Sequence, residues 1–449
     1  MRSVTFDVSQ FLDECRVGPL QRRILWICGL IGAVEGFDAQ AVGYIAPTLM
    51  ADWHLPPGAL APVFSLSLFG LMLGALFIAP FADRVGRRPV LLASLVVFGA
   101  STLLTALARD LGTLTALRFL TGIGLGGAMP NAVALTAEFM PRRRRAFLVM
   151  LMFNGFNIGS MVGGIVSAQY VATLGWQAVF VVGGILPLVL APVIFFRLPE
   201  SIAFLALSDA PREKILVLLR RIDPHVHVEE DAPLRDVGAH LAQKIAVNEL
   251  FGGGRAATTL LIWLIFFMSL LDIYLLVSWL PTSLNAGGAT VRMAIIAGVV
   301  LQLGSVLGCL PIGLAVDRFG APLVMMCAYL VGAVCIACIG VFASNIALTL
   351  AAAFGAGFGL IGGQAAANAL AATSYPTQLR STGVGWALGI GRVGSIIGPL
   401  LGGALMTAHV PVPKLFAMAA VPAAIAALAL VVLGWMRGQI GKRPLASHA

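Results

Sequence analysis

Hydrophobic residues in this chain gather into twelve long runs that are separated by polar segments. Each run is about 20 residues long, the length that an α-helix needs to cross the hydrocarbon core of a bilayer. A segment in lipid must satisfy its own backbone hydrogen bonds, and scattered strand signals do not suggest a barrel, so helices are expected. We predict an all-α membrane protein with spans over 24–46, 60–81, 89–108, 111–136, 146–170, 175–196, 256–280, 293–315, 321–343, 346–371, 382–407 and 413–436.

One long polar stretch divides the runs into two groups of six. Residues 197–255 hold most of the charge outside the short loops, with helical patterns near 211–221 and 234–248. A stretch of this kind predicts a linker between two six-helix bundles. The predicted division is a cytoplasmic tail over 1–23 with one amphipathic turn near Phe11, an N-terminal bundle over 24–196, a cytoplasmic linker over 197–255, a C-terminal bundle over 256–436 and a cytoplasmic tail over 437–449.

The two halves repeat the same polar positions at a nearly constant offset. Asp272 follows Asp38 by 234 positions, and both lie inside apolar runs. Asp317 follows Asp83 by the same 234 positions, and each begins the loop pattern Asp-Arg-x-Gly. Parallel repeats in a membrane protein are typical of secondary transporters, which hold a solute between the halves and expose it alternately.

Composition and charge fit this class and indicate the orientation. The 449 residues are 59% hydrophobic and 11% charged, with a mean hydropathy of +0.95, and burial of so much apolar surface requires lipid as the solvent. The net charge of +9 lies mainly in loops on one side, which places that side and both termini in the cytoplasm. Nucleic-acid binding is not expected, because no basic face with interleaved aromatic residues lies outside the loops. The short loops of that side carry Arg84, Arg87, Arg88, Arg142, Arg143, Arg144, Arg145, Arg318 and Arg380, against Arg109, Arg292 and Lys414 on the other side.

Catalytic chemistry is not indicated by any motif in the chain. The sequence has no phosphate-binding loop, no cluster with metal-ligand spacing and no convincing Ser-His-Asp or Cys-His set. Cys335-x-x-Cys338 has redox-like spacing, but in an apolar helix it is interpreted as a pair of small packing residues. We expect no enzyme activity, no metal and no cofactor.

Three carboxylates lie within the apolar runs, and they are the candidates for proton coupling. Glu35 and Asp38 are three residues apart, so they share one face of a helix. An ionisable group at this depth must face an aqueous cavity or a partner, and such groups usually have a function. The alternative for this pair is a hydrogen bond that serves packing. Asp272 is either a further titrating group or the partner of an Arg.

Two arginines inside the runs are candidates for binding an anion. Arg118 and Arg392 keep their charge at any relevant pH, so each requires an anionic partner once it is buried. The guanidinium can bind the carboxylate of a substrate in a bidentate pair. The alternative is a permanent ion pair with Asp38 or Asp272 that only positions helices. The position equivalent to Arg392 in the first half is Asn157, so the repeat carries this charge once.

Aromatic residues near these charges are candidates for stacking on a ring. Phe37 lies between the two acids of the first run, Tyr44 lies two turns further on, and Trp386 precedes Arg392 by six residues. The alternative for each residue alone is a place in the core or a contact with lipid.

Several motifs together resemble the major facilitator superfamily, over nearly the whole chain. The loop at Asp83 resembles the family signature between spans 2 and 3, although Ala79 replaces its leading Gly. The echo at Asp317 keeps that Gly as Gly313 but lacks the basic pair. The motifs are Asp83-Arg84-x-Gly86-Arg87-Arg88, Gly313-x-x-x-Asp317-Arg318-x-Gly320, Arg118-x-x-x-Gly122-x-Gly124 and Leu198-Pro199-Glu200-Ser201. This resemblance implies two pseudo-symmetric bundles of six helices, the major facilitator fold.

A narrower set of motifs resembles the aromatic acid:proton symporters, which import benzoate-like and hydroxybenzoate-like acids into bacteria. Glu35 stands where that group has its first Asp, so the preference of any one member does not carry over. The motifs are Glu35-Gly36-Phe37-Asp38, Gly124-x-Gly126-Gly127-x-Met129-Pro130-Asn131, Ser278-Trp279-Leu280-Pro281 and Thr382-Gly383-x-Gly385-Trp386, followed by Gly389-x-Gly391-Arg392-x-Gly394.

The resemblance also implies a role for the two Asp-Arg-x-Gly loops. Similar loops in the superfamily latch the two halves on the cytoplasmic side through charge pairs and helix dipoles. Gly at the fourth position permits the tight turn, and the positive charges also serve as topology signals. The residues expected in this latch are Asp83, Arg84, Gly86, Arg87 and Arg88, with Asp317, Arg318 and Gly320 in the second half.

Taken together, these observations predict a proton-coupled symporter that imports an aromatic carboxylate across the bacterial inner membrane, as part of aromatic hydrocarbon catabolism. Its expected partners are a small aromatic acid, protons and the lipid bilayer, and it is expected to be a monomer. The alternatives are a carrier of another organic anion, a proton antiporter of the same superfamily, and a membrane sensor that binds a solute without transporting it.

Overall fold

In the described part of the computed structural model, twelve helices are long and apolar enough to cross a membrane, which confirms the predicted fold class. The structure describes residues 6–15, 17–208, 211–223, 226, 234–235, 247–376 and 378–440. Membrane helices 1 to 12, numbered in chain order, are Pro19–Asp52, Ala61–Val85, Arg87–Thr105, Leu111–Phe139, Arg142–Leu174, Gln177–Arg197, Ala256–Ala286, Val291–Phe319, Ala321–Val341, Ile346–Ser374, Thr382–Thr407 and Val412–Met436.

Several helices extend beyond the apolar runs that predicted them. Helix 1 begins at Pro19, five residues before the expected start, and has 34 residues. Pro is favourable in the first helical turn because its missing N–H would have no partner there. The side chain of Gln21 in this extension donates a hydrogen bond of 2.7 Å to the carbonyl of Phe139. A polar contact of this kind leaves no signal in the apolar pattern, so the sequence did not predict the extension.

Polar side chains cap three membrane helices at their N-termini. Asp110 accepts a hydrogen bond of 2.8 Å from the backbone N–H of Thr113, at the start of helix 4. Thr290 caps helix 8 and Asn345 caps helix 10 in the same way. The first turn of a helix has backbone N–H groups without partners, and these side chains satisfy one of them.

The chain forms two compact units. The first unit contains Met1–Ala39, Leu66–Ser160 and Gln177–Ala242, and the second contains Gln40–Ser65, Met161–Trp176 and Gln243–Ala449. The domain limits of 24–196 and 256–436 follow from the sequence repeat and stay a prediction.

The first part of the polar linker belongs to the first unit. The predicted helix at 211–221 is confirmed as Arg212–Ile222, and its apolar face joins one hydrophobic cluster with a short N-terminal helix, Val8–Glu14. Asp13 in that short helix forms an ion pair of 3.3 Å with Arg142, which begins helix 5. Buried members of the cluster include Leu12, Ile24, Leu135, Phe139, Ile215, Leu219 and Ile222.

The helix predicted at 234–248 is wrong where the structure describes this segment. Leu234–Arg235 forms a two-residue parallel strand with Phe6–Asp7, and Val247–Leu250 is a 3-10 turn. Pairing with another segment satisfies the backbone groups that a helix would otherwise satisfy internally. The rest of the predicted helix, 236–246, lies outside the described residues, as does the C-terminal tail from 441.

Helices 1 and 5 pack with their backbones in direct contact inside the first unit. A Cβ atom on Gly36 would lie 1.9 Å from the carbonyl oxygen of Phe156, and one on Gly159 would lie 1.8 Å from that of Ala33. The hydroxyl of Ser160 donates a hydrogen bond of 2.9 Å to the carbonyl of Gly36. Small residues permit such a close approach of two backbones. The resulting contact between helices 1 and 5 fixes the segment of helix 1 that carries Glu35 and Asp38.

Candidate functional site

A buried ion pair between Asp38 and Arg118 lies in the interior of the first unit. The guanidinium donates from Nη1 to Oδ1 at 2.9 Å and from Nη2 to Oδ2 at 2.6 Å, so the pair is bidentate. The two side chains are 0% and 1% exposed. Thr102 on helix 3 adds a hydroxyl hydrogen bond of 3.0 Å to Oδ1. Side chains from helices 1, 3 and 4 therefore hold one positive and one negative charge away from water.

Aromatic rings complete the surroundings of this pair. The guanidinium carbon of Arg118 lies 5.5 Å from the ring centroid of Phe180 on helix 6, which adds a cation–π contact. Phe37 is buried, and a Cβ atom on Gly183 would lie 3.3 Å from its ring. This close packing favours a core position for Phe37. Glu35 is also buried, one helical turn before Asp38.

The sequence raised both Asp38 and Arg118 as functional candidates, and their pairing was one of its alternatives. It did not indicate Thr102 or Phe180. Thr102 is one of several hydroxyl residues in its apolar run, beside Ser101 and Thr105, and Phe180 is one of 25 Phe residues. The sequence has no feature that separates either residue from similar ones, because their proximity to the pair arises only from helix packing.

Asp272 on helix 7 is buried in the second unit in a different environment. Its carboxyl lies beside the backbone of Ala423, and neither of its oxygens has a well-formed hydrogen bond among the described residues. No Lys or Arg nitrogen of the described part of the chain lies within 4.0 Å of it. The predicted alternative of an Arg partner for Asp272 is therefore not found in this part of the chain.

Arg392 on helix 11 is half-buried and has no carboxylate within 4.0 Å among the described residues. Its Nη1 lies 3.5 Å from the hydroxyl of Tyr274, at the limit of a hydrogen bond. The sequence did not indicate Tyr274, although its position two residues after Asp272 placed it near a candidate. The two intramembrane arginines thus differ, because Arg118 has a counter-ion and Arg392 has none in the described structure.

The other two aromatic candidates lie in the second unit. Tyr44 is buried against the backbone at Gly164 and Gly298, and its hydroxyl has no hydrogen-bond partner among the described residues. Trp386 is 42% exposed and stacks on Trp263 with ring centroids 5.8 Å apart and an interplanar angle of 23°. One face of the Trp386 indole is therefore occupied by protein.

The loop at Asp83 is the centre of a charge network at the end of the first unit. Arg87 pairs with Glu138 at 2.6 Å and with Asp83 at 3.3 Å. Glu200 accepts backbone N–H bonds from Arg87 at 2.9 Å and from Arg88 at 3.2 Å. The hydroxyl of Ser201 donates to Glu138. The network joins the loop between helices 2 and 3 to the ends of helices 4 and 6.

Gly86 in this loop has φ of +103°, a backbone conformation that favours glycine. A Cβ atom there would lie 2.5 Å from Oε2 of Glu200. Glu138 and Glu200 are contact partners of this loop that the sequence did not indicate. Glu200 belongs to the motif Leu198-Pro199-Glu200-Ser201, and Glu138 lies two residues beyond the fourth predicted span.

The second Asp-Arg-x-Gly loop lacks an equivalent network among the described residues. The guanidinium of Arg318 lies 5.3 Å from the ring centroid of Phe319. Asp317 forms no ion pair with the described chain, and neither does Arg84 in the first loop. Gly320 has a positive φ of +86°, like Gly86 in the first loop. Unlike Gly86, it has no atom within 4 Å of a Cβ placed there. The latch role of both loops stays a prediction.

Comparison with known proteins defines the class. A family model of the Major Facilitator Superfamily matches residues 28–282 and 262–447. The crystal structure of a bacterial homolog of the human lysosomal transporter Spinster, in an inward-facing and occupied conformation, has the same fold, with a TM-score of 0.70 and 16% identity over 96% of this chain and 100% of that one. The chain therefore belongs to the major facilitator superfamily, and it is a multi-pass membrane transporter and not an enzyme.

Two relatives place the chain within the superfamily. The gallate transporter of Pseudomonas putida is 40% identical over 431 residues, which cover 96% of each chain. The 4-hydroxybenzoate transporter PcaK of Pseudomonas aeruginosa is 40% identical over 437 residues, which cover 95% of this chain and 96% of that one. The chain thus groups with relatives named for aromatic acids, as the motif at Glu35–Asp38 predicted.

Proposed function

We propose that this protein imports an aromatic carboxylate anion together with protons across the bacterial inner membrane, by alternating access. The observation that carries the proposal is the bidentate pair between Asp38 and Arg118, fully buried in a transporter whose relatives are named for gallate and 4-hydroxybenzoate. A carboxylate and a guanidinium in contact are the two groups that such a symporter needs, one to carry a proton and one to bind an acid.

The pair suggests how proton and substrate are coupled. Asp38 can take up a proton, whereas Arg118 cannot release one. Protonation of Asp38 removes the negative charge and leaves a buried guanidinium without a counter-ion, a state that is strongly unfavourable. A substrate carboxylate would restore the balance of charge. In this proposal the proton and the anion enter together, because each makes the binding of the other favourable.

Arg392 is proposed as a second contact for the substrate carboxylate. It has no counter-ion in the described structure, and the Tyr274 hydroxyl lies beside it. Glu35 and Asp272 are proposed as further titrating groups, and Tyr44 and Trp386 as contacts for the ring. Both termini and the loop at Asp83 are proposed to lie on the cytoplasmic side, and the functional protein is proposed to be a monomer.

The test is uptake by the purified protein in proteoliposomes. Radiolabelled gallate, 4-hydroxybenzoate, benzoate and 3-phenylpropionate are supplied with and without an inwardly directed proton gradient. Accumulation of one acid that requires the gradient is the expected result. Uptake of an acid that is unaffected by the gradient argues against proton coupling, and no uptake of any of the four argues for another organic anion or for antiport.

Asp38→Asn provides the sharper version of this test. The amide cannot carry a proton between the two sides, so we expect no accumulation above the equilibrium distribution. Thr102→Val is the matched control, because it removes a neighbour of the same carboxylate but keeps the titrating group. Concentration of the acid by Asp38→Asn under a proton gradient would contradict the assignment of Asp38.

A further inference from the structure

A basic cleft of about 570 Å³ lies between the end of helix 6 and the linker helix Arg212–Ile222. Its volume is within the range of roughly 300–1,000 Å³ that is usual for small-ligand sites. All of its residues belong to the first unit. The basic cleft is defined by the charged residues Arg88, Arg197, Lys214 and Arg221 and by the rings of Phe195 and Phe196.

The positive charge of the basic cleft is only partly neutralised within the described chain. Arg197, Lys214 and Arg221 are exposed, and no carboxylate of the described residues lies within 4.0 Å of them. Glu213 and Glu200 also line the cleft, but Glu200 already accepts backbone N–H bonds at the loop described above. Four cations and two carboxylates leave a net positive site, which fits an anion.

The surroundings of the basic cleft favour an anion that carries an apolar tail. Phe195 and Phe196, at the last turn of a membrane helix, are 55% and 78% exposed. The guanidinium of Arg88 lies 5.1 Å from the ring centroid of Phe195. The linker helix buries Ile215 and Leu219 in the first unit while its cations face outward. Basic residues immediately beyond the end of a span are expected to meet anionic lipid headgroups, and an exposed apolar patch beside them is typical of a membrane contact.

We propose that the basic cleft binds an anionic phospholipid from the leaflet on the side of the Arg-rich loops. The phosphate of the headgroup lies among Arg197, Lys214 and Arg221, and the acyl chains run along Phe195 and Phe196. The bound lipid joins the end of helix 6 to the linker helix and so holds the start of the linker against the membrane surface. The proposal concerns a site that is separate from the Asp38–Arg118 pair, and it does not depend on which solute is transported.

The experiment is native mass spectrometry of the full-length protein in detergent, titrated with phosphatidylglycerol, phosphatidylethanolamine and soluble glycerol 1-phosphate. The test variant combines Arg197→Gln, Lys214→Gln and Arg221→Gln. The control variant combines Arg143→Gln, Arg144→Gln and Arg220→Gln, which removes three exposed cations outside the basic cleft, one of them on the same linker helix. A third variant, Arg197→Lys with Arg221→Lys, keeps the charge.

We expect the wild type to bind one molecule of phosphatidylglycerol in preference to the other two ligands. The affinity for this lipid should fall about tenfold or more in the test variant, because each basic residue near the surface contributes to attraction of anionic lipid. In the control and charge-keeping variants the affinity should fall less than about twofold. Equal losses in the test and control variants would show general surface electrostatics and overturn the site. Equal binding of phosphatidylethanolamine would overturn the anionic preference. Binding of glycerol 1-phosphate as strong as that of the lipid would overturn the role of the acyl chains.

Discussion

At the scale of single residues, the two intramembrane arginines have unequal surroundings. Arg118 forms a bidentate pair with Asp38, and Arg392 has no acid within 4.0 Å in the described structure. Removal of one partner of a buried ion pair strongly destabilises the fold, because the other charge stays buried without a counter-ion. A half-buried charge that has no partner leaves no such uncompensated charge when it is removed. Removal of the counter-ion of Arg118 should therefore destabilise the protein more than removal of the Arg392 charge.

For the paired arginine, we predict that Asp38→Asn lowers the free energy of unfolding by about 3–5 kcal/mol, because it leaves the Arg118 guanidinium buried without its counter-ion. Asp38→Asn with Arg118→Gln should be less destabilised than Asp38→Asn alone, since no uncompensated charge remains. Thr102→Val should cost about 1.5–3 kcal/mol, because its hydroxyl donates to a charged group. Unfolding of the detergent-solubilised proteins measures all three, and an Asp38→Asn protein as stable as the wild type would contradict a stabilising pair.

For the unpaired arginine, we predict that Arg392→Gln leaves stability unchanged within about 1 kcal/mol, since no counter-ion is left behind. The KM for the transported acid should rise about tenfold or more, because a charge-assisted hydrogen bond contributes roughly 1.5–3 kcal/mol. Arg292→Gln, at the exposed start of helix 8, is the matched control. An unchanged KM in the proteoliposome assay would exclude Arg392 from the binding of the carboxylate.

Residue chemistry explains what the sequence could and could not predict at the site. A charge within an apolar run is conspicuous, so Glu35, Asp38, Arg118 and Arg392 were evident as candidates. Their partners were not, because the choice between Asp38 and Asp272 as the anion for Arg118 depends on which helices pack together. A hydroxyl such as Thr102 carries no cost that sets it apart in the sequence.

At the scale of elements, the loop between helices 2 and 3 joins residues from four segments. The sequence predicted the turn at Gly86 and its charges, since Gly and Arg residues at this spacing are local signals. It did not predict that Glu138 and Glu200 would meet Arg87, because they lie 51 and 113 residues further along the chain. The second loop has the same local pattern but no such partners in the described residues.

The two loops permit a matched comparison of glycine substitutions. We predict that Gly320→Ala costs about 1–3 kcal/mol, from the strain of a non-glycine residue at positive φ. Gly86→Ala should cost about 1.5–3 kcal/mol more, because its Cβ atom would displace the Glu200 carboxylate from its hydrogen bonds. Unfolding midpoints in detergent give the comparison, and equal destabilisation of the two variants would argue against a stabilising role for Glu200.

The cap of helix 4 leads to a prediction about pH. Hydrogen bonds from Thr113, first from its hydroxyl and then from its backbone N–H, lower the pKa of Asp110. A carboxylate with a lowered pKa contributes stability that is present above its ordinary pKa of about 4 and is lost as the pH falls through the lowered value. The wild type should therefore lose stability relative to Asp110→Asn on acidification below about pH 4. Thermal unfolding of both proteins across this pH range measures the difference in their stability. A difference that stays constant with pH would contradict the prediction.

At the scale of the whole molecule, repeated sequence does not mean repeated chemistry. Asp38 and Asp272 are equivalent in the repeat, yet only Asp38 has an ion pair in the described structure. Lipid requires long apolar runs, which made the twelve helices predictable. Lipid sets no limit on how far a helix continues into water, so the ends of the helices were not predictable. The strand pair of Phe6–Asp7 with Leu234–Arg235 was not predictable, since it joins segments more than 200 residues apart.

The orientation in the membrane remains a prediction from the charges of the loops, and it can be measured. The Arg-rich loops resist translocation, so we expect them to face the cytoplasm. In a protein whose six native cysteines are replaced by serine, a membrane-impermeant thiol reagent applied to intact cells should label Arg109→Cys, between helices 3 and 4. It should label Arg143→Cys, at the start of helix 5, only after the cells are permeabilised. Helix 4 connects these two loops, so a single traverse of the membrane requires opposite accessibility. Labelling of Arg143→Cys in intact cells would show that the orientation is the opposite of the predicted one. It would also show that the basic cleft faces the outer leaflet.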